Sequence, residues 1–412
     1  MATAIPRTLV LKCDPESITF SQDEPIYSDS ETENAIKTAV QHLTERHVVA
    51  FPTETVYGLG ALALDATAAT KIFSAKGRPS DNPLIVHISS PSMLSSLLPP
   101  SYTPSLAYKT LMHRFWPGPL TLLFPANPSC VPSIITAGHP TVAVRLPAHP
   151  VARALIATTG IPLAAPSANT SGKPSPTRAA HVLRDLGGTG RLPLLLDGGV
   201  CAVGLESTVV DGLGADGALR VLRPGGVTVE ALVAALGGSD APDGMQPPPR
   251  VLVHRRDFVL NSREENAPTT PGMKYRHYAP GVPVTLLYTA SAPPDDDDDA
   301  GRGAVRCVGL DAFFREAESG ASGRLGLMAQ DDSPLLARAR SEGAPARWLT
   351  FSLGESTEPA RAAQRLFEGL LSLEEQGVER IYVQEVAEEQ EGLAFMNRIR
   401  KAAATSLRIA LM

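Results

Sequence analysis

The stretch His47-Val-Val-Ala-Phe51-Pro-Thr-Glu-Thr-Val-Tyr-Gly-Leu-Gly60 holds the reading of the whole first domain. Its first five residues form an apolar, β-branched run that predicts a short strand, and Pro52 stops it. Thr53, Glu54 and Thr55 follow at the strand's end, where α/β sheets bind ligands. Before the strand, Ser30-x-x-Glu33 has the spacing of a capping box, and Ile36, Ala39, Val40 and Leu43 fall on one helical face. After it come a helix over Ala66–Ala75 ending at Gly77 and a strand over Pro83–Ile88. Further strands are expected at Leu120–Phe124, Thr141–Leu146, Ile161–Ala165, Leu194–Leu196, Ser207–Asp211 and Leu219–Leu222. Helical patterns lie near 105–115, 149–159, 177–186 and 228–236, and this alternation predicts an α/β domain on a mixed sheet.

The 412 residues suggest two domains or three, with boundaries marked by shifts in composition. Residues 1–30 precede the first clear pattern, residues 31–236 make the first domain, and 237–281 read as a linker rich in Pro and Gly and locally basic. Residues 282–412 predict a smaller βα-repeating domain, with strands at Val282–Tyr288, Val305–Leu310, Trp348–Ser352 and Arg380–Val386. Ala360, Ala363, Leu366, Phe367, Leu370 and Leu371 make a helical apolar stripe that reads as core. Asp295–Asp299 reads as a solvated surface loop. A net charge of -6 argues against a chain whose main task is coating nucleic acid or an anionic membrane. No apolar run reaches the ~18 residues of a membrane span. The first residues lack a secretory or transit pattern, so a cytoplasmic setting is expected, with an additional mitochondrial pool left open. Cys13, Cys130, Cys201 and Cys307 form no CxxC pair and are expected to be small core residues.

Familiar motifs fail. Gly58-x-Gly60-x-x-Ala63 matches a relaxed dinucleotide fingerprint, but five residues separate it from the strand and no helix cap follows. There is no P-loop, no HExxH and no GxSxG. What remains is an inventory at strand ends. Lys76 and Arg78 flank Gly77; Asn82 and His87 bracket one strand; Arg145 ends another. On that strand Ala143 and Arg145 share one face and Val142 and Val144 the other. A guanidinium in such a strand needs a carboxylate or phosphate partner. Ser167, Asn169 and Ser175 lie in Ser/Pro turns, Glu206, Ser207 and Thr208 open a strand, and Arg223 closes one. Four cations, several hydroxyl and amide groups, and no nucleophile with a base beside it suit an anionic, nucleotide-like substrate held by positioning and charge neutralisation.

Eight blocks then occur in order: Phe51–Gly60, Lys76–Pro79, Asn82–His87, Ala143–Pro147, Ala165–Asn169, Gly172–Thr177, Glu206–Thr208 and Leu222–Gly225. Together they resemble the YrdC-like family of threonylcarbamoyl-AMP synthases. The block Pro271–Pro280 and the tail Gly392–Ala403 resemble its longer, two-domain members. The resemblance implies a YrdC-like twisted mixed sheet with flanking helices, followed by a smaller Rossmann-like α/β domain. It implies synthesis of L-threonylcarbamoyl-adenylate and pyrophosphate from L-threonine, bicarbonate and ATP, with Mg²⁺ carried by ATP, no organic cofactor and no protein metal cage. The adenylate would pass to a tRNA threonylcarbamoyltransferase, with no membrane and no stable tRNA binding of its own. Carried over position by position, Lys76, Arg78 and Arg145 are the catalytic cations. Thr55, His87, Arg145, Ala165 and Ser207 meet threonine. Lys76, Arg78, Asn82, Thr141, Ser167, Asn169, Ser175, Arg223, Tyr275 and His277 meet ATP. The linker around Tyr275–Tyr278 is expected as a lid over the pocket. A non-catalytic RNA-binding module of the same fold is the main rival, and a dinucleotide oxidoreductase using Gly58–Ala63 a second.

Overall fold

The computed structural model describes residues 7–237, 247–259, 277–289, 306–341 and 347–411. The chain divides into two compact units at residue 274/275, with Gly172–Pro174 grouped in the second.

The first unit is built on an eleven-stranded mixed sheet. Across it lie Leu9–Lys12, Leu194–Asp197, Val49–Phe51, Gly58–Leu62, Leu163–Ala164, Ile85–His87, Thr141–Arg145, Leu120–Pro125, Thr208–Asp211, Leu219–Arg223 and Val251–Val253. Parallel and antiparallel neighbours are interspersed: Ile85–His87 runs parallel to Thr141–Arg145, which is antiparallel to Leu120–Pro125. The helices fall where the 3.6-residue periodicity puts them. Ser30–Thr44 buries Ala35, Ile36, Ala39 and Leu43, while Val40 is only partly buried. Its N-cap is Asp29, one residue before the expected Ser30; the Asp29 carboxylate accepts from the backbone N–H groups of Glu31 and Thr32. Ala66–Lys76 ends at Gly77, whose φ of 60° is the left-handed C-cap that glycine adopts without strain.

Several boundaries differ from the sequence reading. Gly58–Leu62, set aside as a glycine motif, is a fully buried central strand. A Cβ on Gly60 would stand 2.5 Å from the Phe51 ring, so this glycine lets two strands pack across an aromatic side chain. Leu9–Lys12, from the stretch before residue 31, is the parallel edge partner of Leu194–Asp197. Val251–Val253, within the proposed linker, pairs with Leu219–Val221 at the other edge. Cys13 and Cys201 are buried as expected, but Cys130 and Cys307 are exposed. Burial, with Asp197 and Asp29 nearby, pushes the Cys13 thiol up to about 12.

The second unit carries six described strands, all parallel, in the order Cys307–Gly309, Thr405–Ala410, Val284–Tyr288, Arg380–Gln384, Leu325–Ala329 and Trp348–Ser352. Numbered along the chain this is 2-6-1-5-3-4, not the 3-2-1-4-5-6 of the dinucleotide fold. Leu325–Ala329 and Thr405–Ala410 are strands the sequence reading did not place. Helix Pro359–Glu375 buries Ala363, Leu366, Phe367, Leu370 and Leu371, but Ala360 is exposed and Ala362 takes its place. Phe313, Phe314, Leu327, Trp348 and Tyr382 belong to one apolar cluster. Each such side chain, fully buried, contributes roughly 1.5–3 kcal/mol. Asp295–Asp299 lies outside the described residues. Among the described residues no helix is long and apolar enough to cross a membrane.

Candidate functional site

Strand register aligns the polar residues of the first unit. His87 pairs with Arg145, Arg145 with Thr121, Thr121 with Val209, and Val209 with Arg223. Register partners share a face, so His87, Arg145, Thr121 and Arg223 form one row across five strands. All four are buried.

Arg145 is the most constrained. Its Nε donates to Gly118 O at 3.2 Å, Nη1 to Thr55 Oγ1 at 2.9 Å and Nη2 to Glu54 Oε1 at 2.5 Å. Glu54 and Thr55 arrive through the turn that follows Val49–Phe51. There the Thr53 hydroxyl donates to Val56 O at 2.6 Å and accepts from the Thr55 and Val56 N–H groups. The Thr53 and Thr55 hydroxyls also lie 2.8 Å apart. This hydroxyl turn replaces backbone ladder bonds at the strand end and aims both side chains at the guanidinium.

His87 Nδ1 lies 3.2 Å from Ile85 O. A carbonyl only accepts, so Nδ1 carries the proton and Nε2 keeps a lone pair. Burial first, then the charge of Arg145, pushes the imidazole down to about 3, so it is neutral at physiological pH.

Beyond Arg145, Ser207 Oγ lies 2.7 Å from Thr121 Oγ1 and 3.2 Å from Arg223 Nη2, which also donates to Ser207 O at 2.9 Å. Ser175 Oγ donates to Glu206 Oε1 at 2.6 Å. Lys76, at the end of its helix, donates to Ser167 O and, at 2.5 Å, to Asn169 O. Burial, then Arg78, holds its amine well below the usual lysine range, while Asp185 and Glu206 pull the other way. The loop Ala165–Asn169 is pinned by Leu59 N to Pro166 O and by Ala168 N to Tyr57 O, both 2.8 Å. Ala165 packs near Gly58, where a Cβ would meet it at 3.3 Å.

The structure therefore sets His87, Arg145 and Arg223 on one row, hydrogen-bonds Thr55 and Ser207 to it, and puts Lys76 onto the Ser167–Asn169 loop. Arg78 donates to Asn82 O at 3.1 Å and Pro83 O at 3.0 Å, so Arg78 and Asn82 form one loop unit. Thr141 begins the strand that Arg145 ends, on the same face. At 3.3 Å per residue that is about 13 Å from Arg145, a span that only an extended ligand bridges. His277 belongs to the second unit, where its N–H donates to Lys401 O at 3.2 Å. Tyr275, and most of the expected lid, lie outside the described residues. The sequence reading did not commit two carboxylates that the structure places here: Glu54 against Arg145 and Glu206 against Ser175. The need for a carboxylate beside Arg145 was legible, but not that the chain itself supplies one. Among the described residues no three His, Cys, Asp or Glu side chains are grouped to hold a metal ion.

Comparisons with known proteins give the family. A family model described as "Telomere recombination" matches residues 41–225, and one described as "Threonylcarbamoyl-AMP synthase, C-terminal domain" matches 227–404. The chain is 40% identical to the threonylcarbamoyl-AMP synthase of Bacillus subtilis, over 89% of this chain and 92% of that one. It is also 40% identical to the Schizosaccharomyces pombe enzyme, over 91% and 89%. A crystal structure of Pyrococcus abyssi Sua5 complexed with L-threonine superposes with a TM-score of 0.73 at 34% identity, covering 97% of this chain and 99% of that one. The chain belongs to the two-domain threonylcarbamoyl-AMP synthase family.

Proposed function

We propose that this protein joins L-threonine, bicarbonate and ATP into L-threonylcarbamoyl-adenylate, releasing pyrophosphate. The observation that supports it most directly is the state of Arg145. A guanidinium has five N–H donors. Three go to Gly118, Thr55 and Glu54, which leaves one on each terminal nitrogen for a substrate carboxylate held bidentately. The Nε2 lone pair of His87, one strand away, accepts the threonine hydroxyl, and the Ser207 hydroxyl bounds the same pocket.

Threonine held in this way presents its nitrogen; once the ammonium has given a proton to solvent, the lone pair attacks the bicarbonate carbon, and a C–O bond breaks to release hydroxide, which takes a second amine proton and leaves as water. The carbamate oxygen then attacks the α-phosphorus of ATP, its P–O bond forms as the bond to pyrophosphate breaks, and the bond electrons leave with pyrophosphate. Such a displacement needs alignment and charge neutralisation rather than a covalent enzyme intermediate. Lys76, Arg78 and Arg223 supply the positive field. Burial disfavours the charged form of the Lys76 amine, and a phosphate beside it favours that form. Asn82, Ser167, Asn169 and Ser175 line the path towards Thr141, where the adenosine extends.

Mg²⁺ enters on the phosphates, a mode that needs at most one or two protein carboxylates. Asp185 and Glu206, whose charges reach Lys76, would be the carboxylates available to it. The adenylate is a reactive mixed anhydride, and we assign its consumption to a cytoplasmic transferase that moves the threonylcarbamoyl group to tRNA.

Mass spectrometry of the products tests this. Purified protein with Mg²⁺, ATP, threonine and ¹³C-bicarbonate is expected to give a threonylcarbamoyl-AMP heavier by one mass unit. No adenylate, together with tight binding of tRNA, would favour the RNA-binding reading instead.

A further inference from the structure

Glu54, the carboxylate that meets Arg145, has only half of its hydrogen bonding complete among the described residues. Its side chain is buried; the residue is 8% exposed. Oε1 takes the Arg145 contact, whereas Oε2, equally buried, meets no hydrogen-bond donor among the described residues. A buried carboxylate oxygen without a donor is uncommon and costly, and it points to a donor that arrives with a ligand. The carboxylate does not swing freely to find one. The Glu54 carbonyl accepts from Val203 N at 2.7 Å, and the Thr53 hydroxyl fixes the turn on either side.

The neighbours sharpen the chemistry of that donor. His149 and Cys201 lie in the field of Glu54. Burial holds the His149 imidazole below its usual range and the Cys201 thiol above its own, so both are uncharged at neutral pH. Arg145 is then the charge that faces Glu54, and the pair sums to zero. A net-neutral ligand with opposite charges on two groups of one carbon enters such a pair without adding uncompensated buried charge. An α-amino acid zwitterion has that form: a carboxylate for the two unused N–H groups of Arg145 and an ammonium for the unused oxygen of Glu54.

We infer that Glu54 Oε2 accepts the α-ammonium group of the amino-acid substrate, so that Arg145 and Glu54 together read a zwitterion and reject carboxylic acids of the same shape that lack the amine. This rests on the threonine site proposed above and adds its second charged contact. After carbamate formation the nitrogen keeps one N–H, so the contact persists while the new carboxylate points towards ATP.

Calorimetric binding without ATP tests the inference apart from turnover. The ligands are L-threonine and 3-hydroxybutyrate, which is threonine with the amine replaced by hydrogen. Wild-type protein is expected to bind threonine at least about 10-fold more tightly, the size of a charge-assisted contact. In Glu54→Gln the threonine Kd rises about 10- to 100-fold while that of 3-hydroxybutyrate moves less than about threefold, so discrimination collapses. Equal weakening of both ligands would show that Glu54 only props Arg145 and would overturn the inference. So would equal binding of both by the wild type, a result that needs no variant to fold. Failure of the wild type to bind threonine at all would overturn the site reading itself.

Discussion

In the eleven-stranded sheet, His87, Arg145, Thr121 and Arg223 form one row in register across neighbouring strands, three of them as the last residue of their strand. In the six-stranded sheet, the polar groups gather at strand ends and answer one another. Gln384 Oε1 accepts from Gln330 N at 3.2 Å, and Glu385 Oε1 accepts from Thr289 N at 2.5 Å. Its strand centres are filled instead by Leu286, Leu327 and Val383. Both sheets bury polar side chains, so burial alone does not mark a site. What separates them is valence: Arg145 uses three of its five N–H groups and Glu54 Oε2 meets no donor among the described residues, whereas Gln384 and Glu385 tie loops to strands.

The largest test of that difference removes one partner of the buried pair. Arg145→Ala leaves Glu54 charged and uncompensated, and urea unfolding should show a loss of about 3–5 kcal/mol. Arg145→Ala with Glu54→Ala should recover part of it, since no buried charge is then left alone. An Arg145→Ala loss below about 1 kcal/mol would show that the pair is solvated and the contrast with the second sheet unfounded.

Next is Lys76→Met, which leaves the Ser167 and Asn169 carbonyls without their donor and the phosphates without a cation. Pyrophosphate release should fall about 100-fold, as for loss of one preorganised electrostatic contact, with threonine affinity unchanged. Gln384→Leu in the second unit should leave turnover as it was. Equal effects from the two changes would break the comparison.

A smaller effect follows from His87. Its folded pKa of about 3 lies below the ordinary 6.5, so the unfolded chain binds more protons between those values. Stability from this group is therefore present above pH 6.5 and is lost as pH falls through that window. Between pH 7 and pH 5 the loss is about 2 kcal/mol. His87→Asn should flatten that part of the stability profile, and threonine affinity should show no His87 inflection between pH 5.5 and 8.

The smallest contrasts two glycines, one in each unit. A Cβ on Gly60 meets the Phe51 ring at 2.5 Å, whereas one on Gly309 meets nothing within 4 Å. The ring is held between strands and cannot move aside. Gly60→Ala should cost about 1–3 kcal/mol by thermal unfolding, and Gly309→Ala less.

Much of this was legible before any coordinates. The helix over residues 30–44, the strand ending at Arg145 and the Gly77 stop follow from periodicity and capping chemistry. Gly58–Leu62 escaped because glycines are poor strand formers in isolation, and only the Phe51 ring explains them. Leu325-Gly-Leu-Met-Ala329 has no β-branched residue and its strand state comes from parallel neighbours on both sides. The N-cap moved from Ser30 to Asp29 because adjacent capping residues compete and one position decides geometry. Of the site, Arg145 was visible as a cation out of place in an apolar strand. Glu54 was visible only as part of a polar triplet, since its partner lies ninety-one residues away on a strand separated from Val49–Phe51 by three others in the sheet.

The most direct measurement is pyrophosphate release from ATP and Mg²⁺, with threonine and bicarbonate omitted one at a time and Arg145→Ala run alongside at a temperature where it stays folded. The account predicts release that needs both substrates and falls at least about 100-fold in the variant. Release indifferent to threonine, or undiminished without the Arg145 guanidinium, would contradict it.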